Sequence, residues 1–301
     1  MPRSPREARI ERASQGLVRA VFGARRRLSG VRPEQMRAGR FEIPVLVGGP
    51  EDDSCPLVLL HGFSDTKDSF VDVARALTRR RRVILPDLPG FSEASQPLDH
   101  RYTIPAIAEL LAEALGSAGP RGVHLVGNSL GGAVAAFLAL ERPGWVRSLT
   151  LIGAAGIRMP VASAMQRHIE AGHNPFALRS EDEYRAFIRF VLERSPPLPG
   201  PVARVMARAF VARRAMNEKI LDELVEDGLD LTERLAEIAV PTLVLWGDRD
   251  RLIDVSAARV YHRSIPRARL VVMHGIGHCP QVEAPRATAR RILETVAAAE
   301  G

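Results

Sequence analysis

The sequence predicts an α/β fold, a mostly parallel sheet flanked by helices, with a helical cap inserted between two parts of the sheet. Three observations predict it. Short, wholly apolar runs alternate with helical patterns from residue 41 to about residue 153. Between residues 157 and 238 no buried strand pattern occurs and helical patterns dominate. The strand–helix rhythm then resumes and runs to the C-terminus. Strands that are apolar on both faces belong to sheets covered by helices on both sides, which is the parallel arrangement.

In chain order, Phe41–Val47 reads as a strand, Pro56–Leu60 as a short buried strand, Ser69–Arg80 as a helix and Arg82–Pro86 as a strand. Thr103–Leu115 reads as a helix, Val123–Val126 as a strand, Ser129–Glu141 as a helix and Ser148–Ile152 as a strand. Pro89-Gly90 and Pro143-Gly144 punctuate the connections. The inserted segment carries helical patterns at Glu181–Glu193, Val202–Arg213, Asn217–Glu226 and Leu231–Ile238, with the proline-rich run Ser195–Pro201 between the first two. Pro241–Trp246 and Leu270–Met273 then read as strands, and Val255–Ser264 and Pro285–Ala298 as helices. This divides the chain into a basic N-terminal segment (1–40), a first core part (41–156), a helical cap (157–238) and a second core part (239–301).

Charge is unevenly placed. The chain carries a formal net charge of +7, yet residues 1–40 alone hold eleven Arg against three Glu. The body is therefore close to neutral and the basicity is N-terminal. Ile10, Ala13, Leu17, Val21, Ala24 and Leu28 recur at three- and four-residue spacing, with Arg12, Arg19 and Arg26 opposite. Such a helix either packs on the body of the protein or lies on an anionic membrane surface. No aromatic residues interleave the arginines as a nucleic-acid surface would require, so no nucleic-acid partner is expected. No run of 18 apolar residues occurs, and Arg19 interrupts the apolar stretch of a would-be signal peptide. Cys55 and Cys279 have neither metal-site nor disulfide-framework spacing. The expectation is a cytoplasmic protein whose residues 1–40 either pack on its body or make peripheral contact with a membrane.

The chemistry centres on Gly127-Asn128-Ser129-Leu130-Gly131-Gly132, set between a strand pattern and a helix pattern. A serine on such a tight turn projects its hydroxyl from the fold, and glycines leave room for the bend. The helix N-terminus behind it favours developing negative charge. Serine needs a base to take its proton. Of eight histidines, His278 sits in the flexible loop Gly275-Ile276-Gly277-His278 after the last strand, where open α/β sheets bind ligands. His274, at the end of that strand, is the rival. The base needs a carboxylate to fix its tautomer; Asp248, Asp250 and Asp254 all follow the strand Pro241–Trp246. Two backbone donors for an oxyanion come from Leu130, after the nucleophile, and from Phe63 in Leu60-His61-Gly62-Phe63, after an early strand. His61 is then structural.

Together, His61-Gly62-Phe63, Pro86-Asp87-Leu88-Pro89-Gly90, the Gly127–Gly132 turn, Trp246-Gly247-Asp248-Arg249-Asp250 and Gly277-His278 resemble the α/β-hydrolase superfamily, over about residues 41 to 298. The resemblance implies the α/β-hydrolase fold, and it implies Asp250, the last aspartate of the Trp-Gly-x-x-Asp turn, as the triad acid. Lys67-Asp68, His124–Ser129 and Asn217-Glu218-Lys219-Ile220 resemble the branch of bacterial lipases and monoacylglycerol-lipase-like esterases. Ser92 stands where that pattern often has glycine. The expected function is a serine hydrolase of carboxylic esters, on small ester or lipid substrates, with Ser129, Asp250 and His278 as triad and the N–H groups of Phe63 and Leu130 as oxyanion hole. No metal or organic cofactor is expected. The alternatives are a carbon–carbon bond hydrolase of aromatic ring-cleavage products and a non-catalytic ligand-binding member of the fold.

Overall fold

A computed structural model describes residues 5–116 and 118–301 of the chain, with side chains from residue 13 onward. The chain opens with helix α1 (Pro5–Leu28), then strands β1 (Val31–Ala38), β2 (Phe41–Gly48) and β3 (Leu57–Leu60). A 3-10 turn (Lys67–Phe70) leads into α2 (Val71–Leu77), followed by β4 (Val83–Pro86), α3 (Ile104–Leu115), β5 (Val123–Asn128), α4 (Leu130–Glu141) and β6 (Val146–Ile152). The inserted helices are α5 (Ala164–Glu170), α6 (Glu181–Val191), α7 (Gly200–Ala212) and α8 (Arg214–Asp227), with a 3-10 turn at Thr232–Glu237. Strand β7 (Thr242–Gly247), α9 (Ser256–Ser264), β8 (Ala268–Met273), α10 (Pro280–Glu283) and α11 (Pro285–Glu300) complete the chain.

The eight strands form one sheet in the order β1-β2-β4-β3-β5-β6-β7-β8. β1, β2 and β4 pair antiparallel, and every pair from β4 to β8 is parallel. The apolar strands behave as their sequence demands, each residue facing one of two cores by a period of two. Val58 and Leu60 pack with Ile107, Leu111 and Val134 on one face, while Leu57 and Leu59 pack with Val73, Leu77 and Ile292 on the other. Fully burying each such side chain contributes about 1.5–3 kcal/mol. Helix starts follow local chemistry: the side chains of Thr103, Ser163 and Ser180 accept from the N–H groups of Ala106, Gln166 and Glu183 and begin α3, α5 and α6.

The parallel sheet with an inserted helical subdomain is the architecture the sequence predicts. Several local features differ. Residues 31–38, inside the segment read only as a basic arm, form an edge strand; its pattern of a buried residue at each end and largely exposed residues between gives it no apolar alternation to detect. The helix expected at Ser69–Arg80 is split, because the Thr66 hydroxyl accepts from the Asp68 N–H and starts a 3-10 turn first. Helix α5 has no counterpart in the sequence reading.

Helix α1 turns a different side inward from its apolar stripe. Val18, Val21, Phe22, Arg25 and Arg26 are half-buried, whereas Leu17 and Leu28 are 39% and 66% exposed and Ala13, Ala20 and Ala24 are also exposed. The cause is ionic. Arg26 donates from Nε and Nη2 to both carboxylate oxygens of Asp68 (2.7 and 2.6 Å), and Arg25 donates to Asp72 at 2.9 Å. Bidentate guanidinium–carboxylate pairs fix geometry as well as charge, and here they rotate the helix so that its basic flank meets α2. The outer end of α1 packs against α7. Ile10 and Arg12 lie outside the residues whose side chains are described.

Candidate active site

Ser129 lies between the end of β5 and the first residue of α4, at φ 55° and ψ −117°. This backbone conformation is strained for any residue with a Cβ and is held by its surroundings. Its N–H donates to Ile152 O at 3.0 Å, and its carbonyl accepts from the N–H groups of Gly132, Ala133 and Ala155. The flanking glycines are required by close approach. A Cβ on Gly127 would sit 2.1 Å from Gly131 O, and one on Gly131 would sit 2.4 Å from Leu60 O. The strand β5, helix α4 and the loop after β3 therefore meet at distances only glycine permits.

His278 follows β8 on the loop predicted for it, and Asp250 follows β7. Nδ1 of His278 donates to Asp250 Oδ2 at 2.8 Å, with both side chains 3% exposed or less. Oδ1 of Asp250 accepts from the N–H groups of Leu252 and Ile253 at 2.9 and 3.0 Å, which fixes the carboxylate. Nε2 of His278 is buried and has no hydrogen-bond partner among the described residues. Asn128, the residue before Ser129, donates from Nδ2 to His278 O and Ile152 O at 3.1 and 3.0 Å. The histidine loop is thereby tied to the turn that carries the serine.

Sequence reasoning missed Gly153 here. It sits at the end of β6 with φ +50°, and a Cβ on it would lie 3.1 Å from His278 Nδ1 and 3.2 Å from Asp250 Oδ2. The small-residue run Gly153-Ala154-Ala155-Gly156, directly after a strand, is the signal that marks such a close approach.

Phe63 and Leu130 occupy the two turns expected of oxyanion donors. Among the described residues, neither of their N–H groups donates to a protein acceptor. His61 is fully buried; its Nε2 accepts from the Leu88 N–H at 2.9 Å and its Nδ1 donates to Gly62 O at 2.8 Å. That pattern requires the neutral ring and makes His61 a brace between two loops. Beside it, Lys67 Nζ donates to Asp87 at 2.5 Å and to Glu93 at 2.7 Å. Burial pulls the Lys67 ammonium down, and the two carboxylates more than reverse this, so it stays charged. The Lys67-Asp68 pair thus has two structural tasks, Lys67 bracing the Asp87 loop and Asp68 holding Arg26 of α1. Ser92 adopts φ 51°, the conformation glycine would supply at this place, and its carbonyl accepts from Arg213 Nη1 of the helical insertion at 2.8 Å.

Above the turns lies an apolar cluster shared by core and insertion. It joins Phe63, Leu252 and Cys279 of the core to Met165 of α5, Phe187 of α6 and Phe176 of the loop between them. The Phe63 and Phe176 rings are 4.5 Å apart. Asp65 ends the turn begun by Gly62, its N–H donating to Gly62 O at 3.3 Å.

The family model described as the alpha/beta hydrolase fold matches residues 56–285. The chain is an alpha/beta hydrolase. Among relatives of this hydrolase, Lipase 1 of Psychrobacter immobilis is 34% identical over 250 residues, spanning 79% of this chain and 78% of its own. Monoacylglycerol lipase abhd6-A of Xenopus laevis is 26% identical over 92% of this chain and 86% of its own. A solved structure of a bacterial membrane phospholipase A superposes at a TM-score of 0.93 with 36% identity, covering 96% of this hydrolase and 93% of that chain.

Proposed function

We propose that this hydrolase cleaves carboxylic esters of lipids through an acyl-enzyme on Ser129, with His278 as base, Asp250 as its orienting acid and the Phe63 and Leu130 N–H groups as oxyanion donors. The observation that carries the reading is the His278–Asp250 hydrogen bond of 2.8 Å combined with a buried His278 Nε2 that no protein group occupies. Asp250 accepts the Nδ1 proton, so the lone pair of Nε2 is the one available to take a proton from a serine hydroxyl. Ser129 Oγ then attacks the ester carbonyl carbon. The carbonyl oxygen becomes an oxyanion that the two N–H groups stabilise, each such donor contributing on the order of 10²–10³ in rate. Collapse expels the alcohol, which takes the proton from His278. Water, deprotonated by His278, attacks the acyl-enzyme; the bond to Ser129 Oγ breaks, the proton on His278 returns to that oxygen, and the carboxylic acid leaves.

The apolar cluster of Phe63, Phe176, Phe187 and Leu252 suits an acyl chain, and residues 157–238 act in this reading as a cap over the site. The likeness to lipases and to a membrane phospholipase A supports a lipid ester. Among the described residues no helix is long and apolar enough to cross a membrane. The reading also includes peripheral contact with an anionic membrane, on its cytoplasmic side, through the exposed Leu17 and Leu28 of α1 and the exposed Arg19 and Arg27 beside them.

The deciding experiment is Ser129→Ala assayed on p-nitrophenyl esters of graded chain length. The variant is expected to fold, by circular dichroism, and to lose turnover and the covalent label left by a fluorophosphonate probe. Retained turnover and labelling would sink the assignment.

A further inference from the structure

We propose that Glu283 is a positioning residue of the triad. It clamps the end of the inserted helix α6 to the loop that carries His278, so that the insertion sets where the base stands. The proposal rests on the reading of His278 as base and names what holds it there.

The end of α6 is the first argument. The last turn of a helix leaves carbonyl groups with no partner inside the helix. In α6 those partners come from the segments that carry the triad. Val191 O accepts the N–H of His278 itself at 3.0 Å. Arg251, the residue after Asp250, donates from Nη1 to Arg189 O and Phe190 O at 3.3 and 3.4 Å, and from Nη2 to Glu193 Oε2 at 2.5 Å. The helix therefore ends on the base and on the neighbour of its acid.

The Glu283 carboxylate is the second argument. Its Oε1 and Oε2 accept from the Gly277 N–H at 3.0 and 3.1 Å. Oε2 also accepts from the N–H groups of Glu193 and Arg194 at 3.0 and 2.8 Å. One side chain thus holds the residue before His278 and two residues just past the end of α6. Hydrogen bonds from N–H groups to a carboxylate are stronger than those between neutral groups.

Close contact is the third argument. A Cβ on Gly277 would lie 2.7 Å from Val191 O and 2.8 Å from Glu193 N. No side chain fits there, so the end of α6 presses directly on the backbone that carries His278. From the sheet side, Asn128 Nδ2 holds His278 O at 3.1 Å and the Arg249 N–H holds Ile276 O at 2.9 Å. Without Glu283 the N–H groups of Gly277, Glu193 and Arg194 lose their acceptor, and Gly277 is buried. Among the described residues, only the His278–Val191 hydrogen bond then joins α6 to the histidine loop.

The test measures kcat per active serine on a p-nitrophenyl ester, with active sites counted by fluorophosphonate labelling taken to completion. The unmodified protein is compared with Glu283→Ala, Glu283→Asp and Glu283→Gln, and His278→Ala serves as reference. In Glu283→Ala the rate per labelled serine is expected to fall about 10²-fold with KM little changed, the cost of a group displaced by about 1 Å. The labelling rate should fall with it. Glu283→Asp keeps the charge but is one methylene too short to reach both segments, and is expected to lose about tenfold, the equivalent of one well-placed hydrogen bond. Glu283→Gln lacks the charge but keeps an oxygen that can stand in the place of Oε2, and is expected to recover most of the rate. Gln above Asp separates position from charge, and this ranking decides the matter where Glu283→Ala yields no folded protein. A role confined to stability would lower the number of labelled serines and leave the rate per serine intact. That result, or equal rates in Glu283→Asp and Glu283→Gln, overturns the proposal while leaving ester hydrolysis standing. Undiminished turnover in His278→Ala removes the base and both readings with it.

Discussion

Asp248 and His274 satisfy each other. His274 Nδ1 donates to Asp248 Oδ2 at 3.1 Å, and the Gly275 N–H donates to Asp248 Oδ1 at 2.7 Å. The His274 side chain is 91% exposed. The two residues that rival Asp250 and His278 in sequence are thus spent on joining the β7 and β8 loops at the surface. Asp250→Asn is therefore expected to lower kcat by about 10³–10⁴, as loss of the orienting acid does. Asp248→Asn should stay within a few-fold of the parent. Steady-state kinetics on one p-nitrophenyl ester measures both, and the reverse ranking would reassign the acid.

Gly153 predicts a loss without removing any functional group. Gly153→Ala adds one methyl against the His278–Asp250 pair, at a φ that disfavours any Cβ. The expected result is a fall in kcat of about 10²-fold, of the size that a misplacement of about 1 Å produces, with KM little changed. An active Gly153→Ala enzyme would show that the pair has more freedom than its contacts indicate.

The pH dependence of stability should carry a signature from His124. Burial, and then repulsion from Arg81, lower its pKa to about 4, with Glu300 opposing. The folded state therefore holds this ring neutral where the unfolded chain protonates it. Stability contributed by the neutral ring is fully present above about pH 6.5 and is lost as pH falls toward 4, by an amount on the order of 3 kcal/mol. His124→Gln should flatten that slope in urea melts run at pH 7, 6, 5 and 4. A parallel decline in parent and variant would place the acid sensitivity elsewhere.

The outward stripe of α1 gives the membrane prediction. The unmodified protein should sediment with vesicles containing phosphatidylglycerol and much less with phosphatidylcholine alone, more weakly as salt rises. Exchanging Leu17, Arg19, Arg27 and Leu28 for Glu should abolish sedimentation, because these side chains face away from the body. Equal sedimentation of both proteins would remove the contact from the proposed function.

What could be read from the sequence was what depends on local pattern. The strands β3 to β7 were legible because their residues are buried on both faces and so carry continuous apolar runs. The Ser129 turn was legible because three chain segments crowd it and force glycine into fixed places. β1 was not, since an edge strand exposes most of its side chains and admits Arg32, Pro33 and Glu34. The inward face of α1 was not, because the attraction of Arg26 to Asp68 is set by residues 42 positions apart. Gly153 belongs to the same class, since it matters through His278 and Asp250, which only the fold brings near.

One consequence of the Ser129 backbone concerns the history of the chain. At φ 55° and ψ −117° glycine would fit with less strain than serine. A copy of this protein that had abandoned chemistry and kept only the scaffold would gain stability by losing that side chain. Mutation without selection for a hydroxyl would drift toward the cheaper residue. The serine is thus a standing cost, one that Ser64 and Ser92 also carry at φ 53° and 51°, and of the three only the Ser129 hydroxyl has a use in the proposed chemistry.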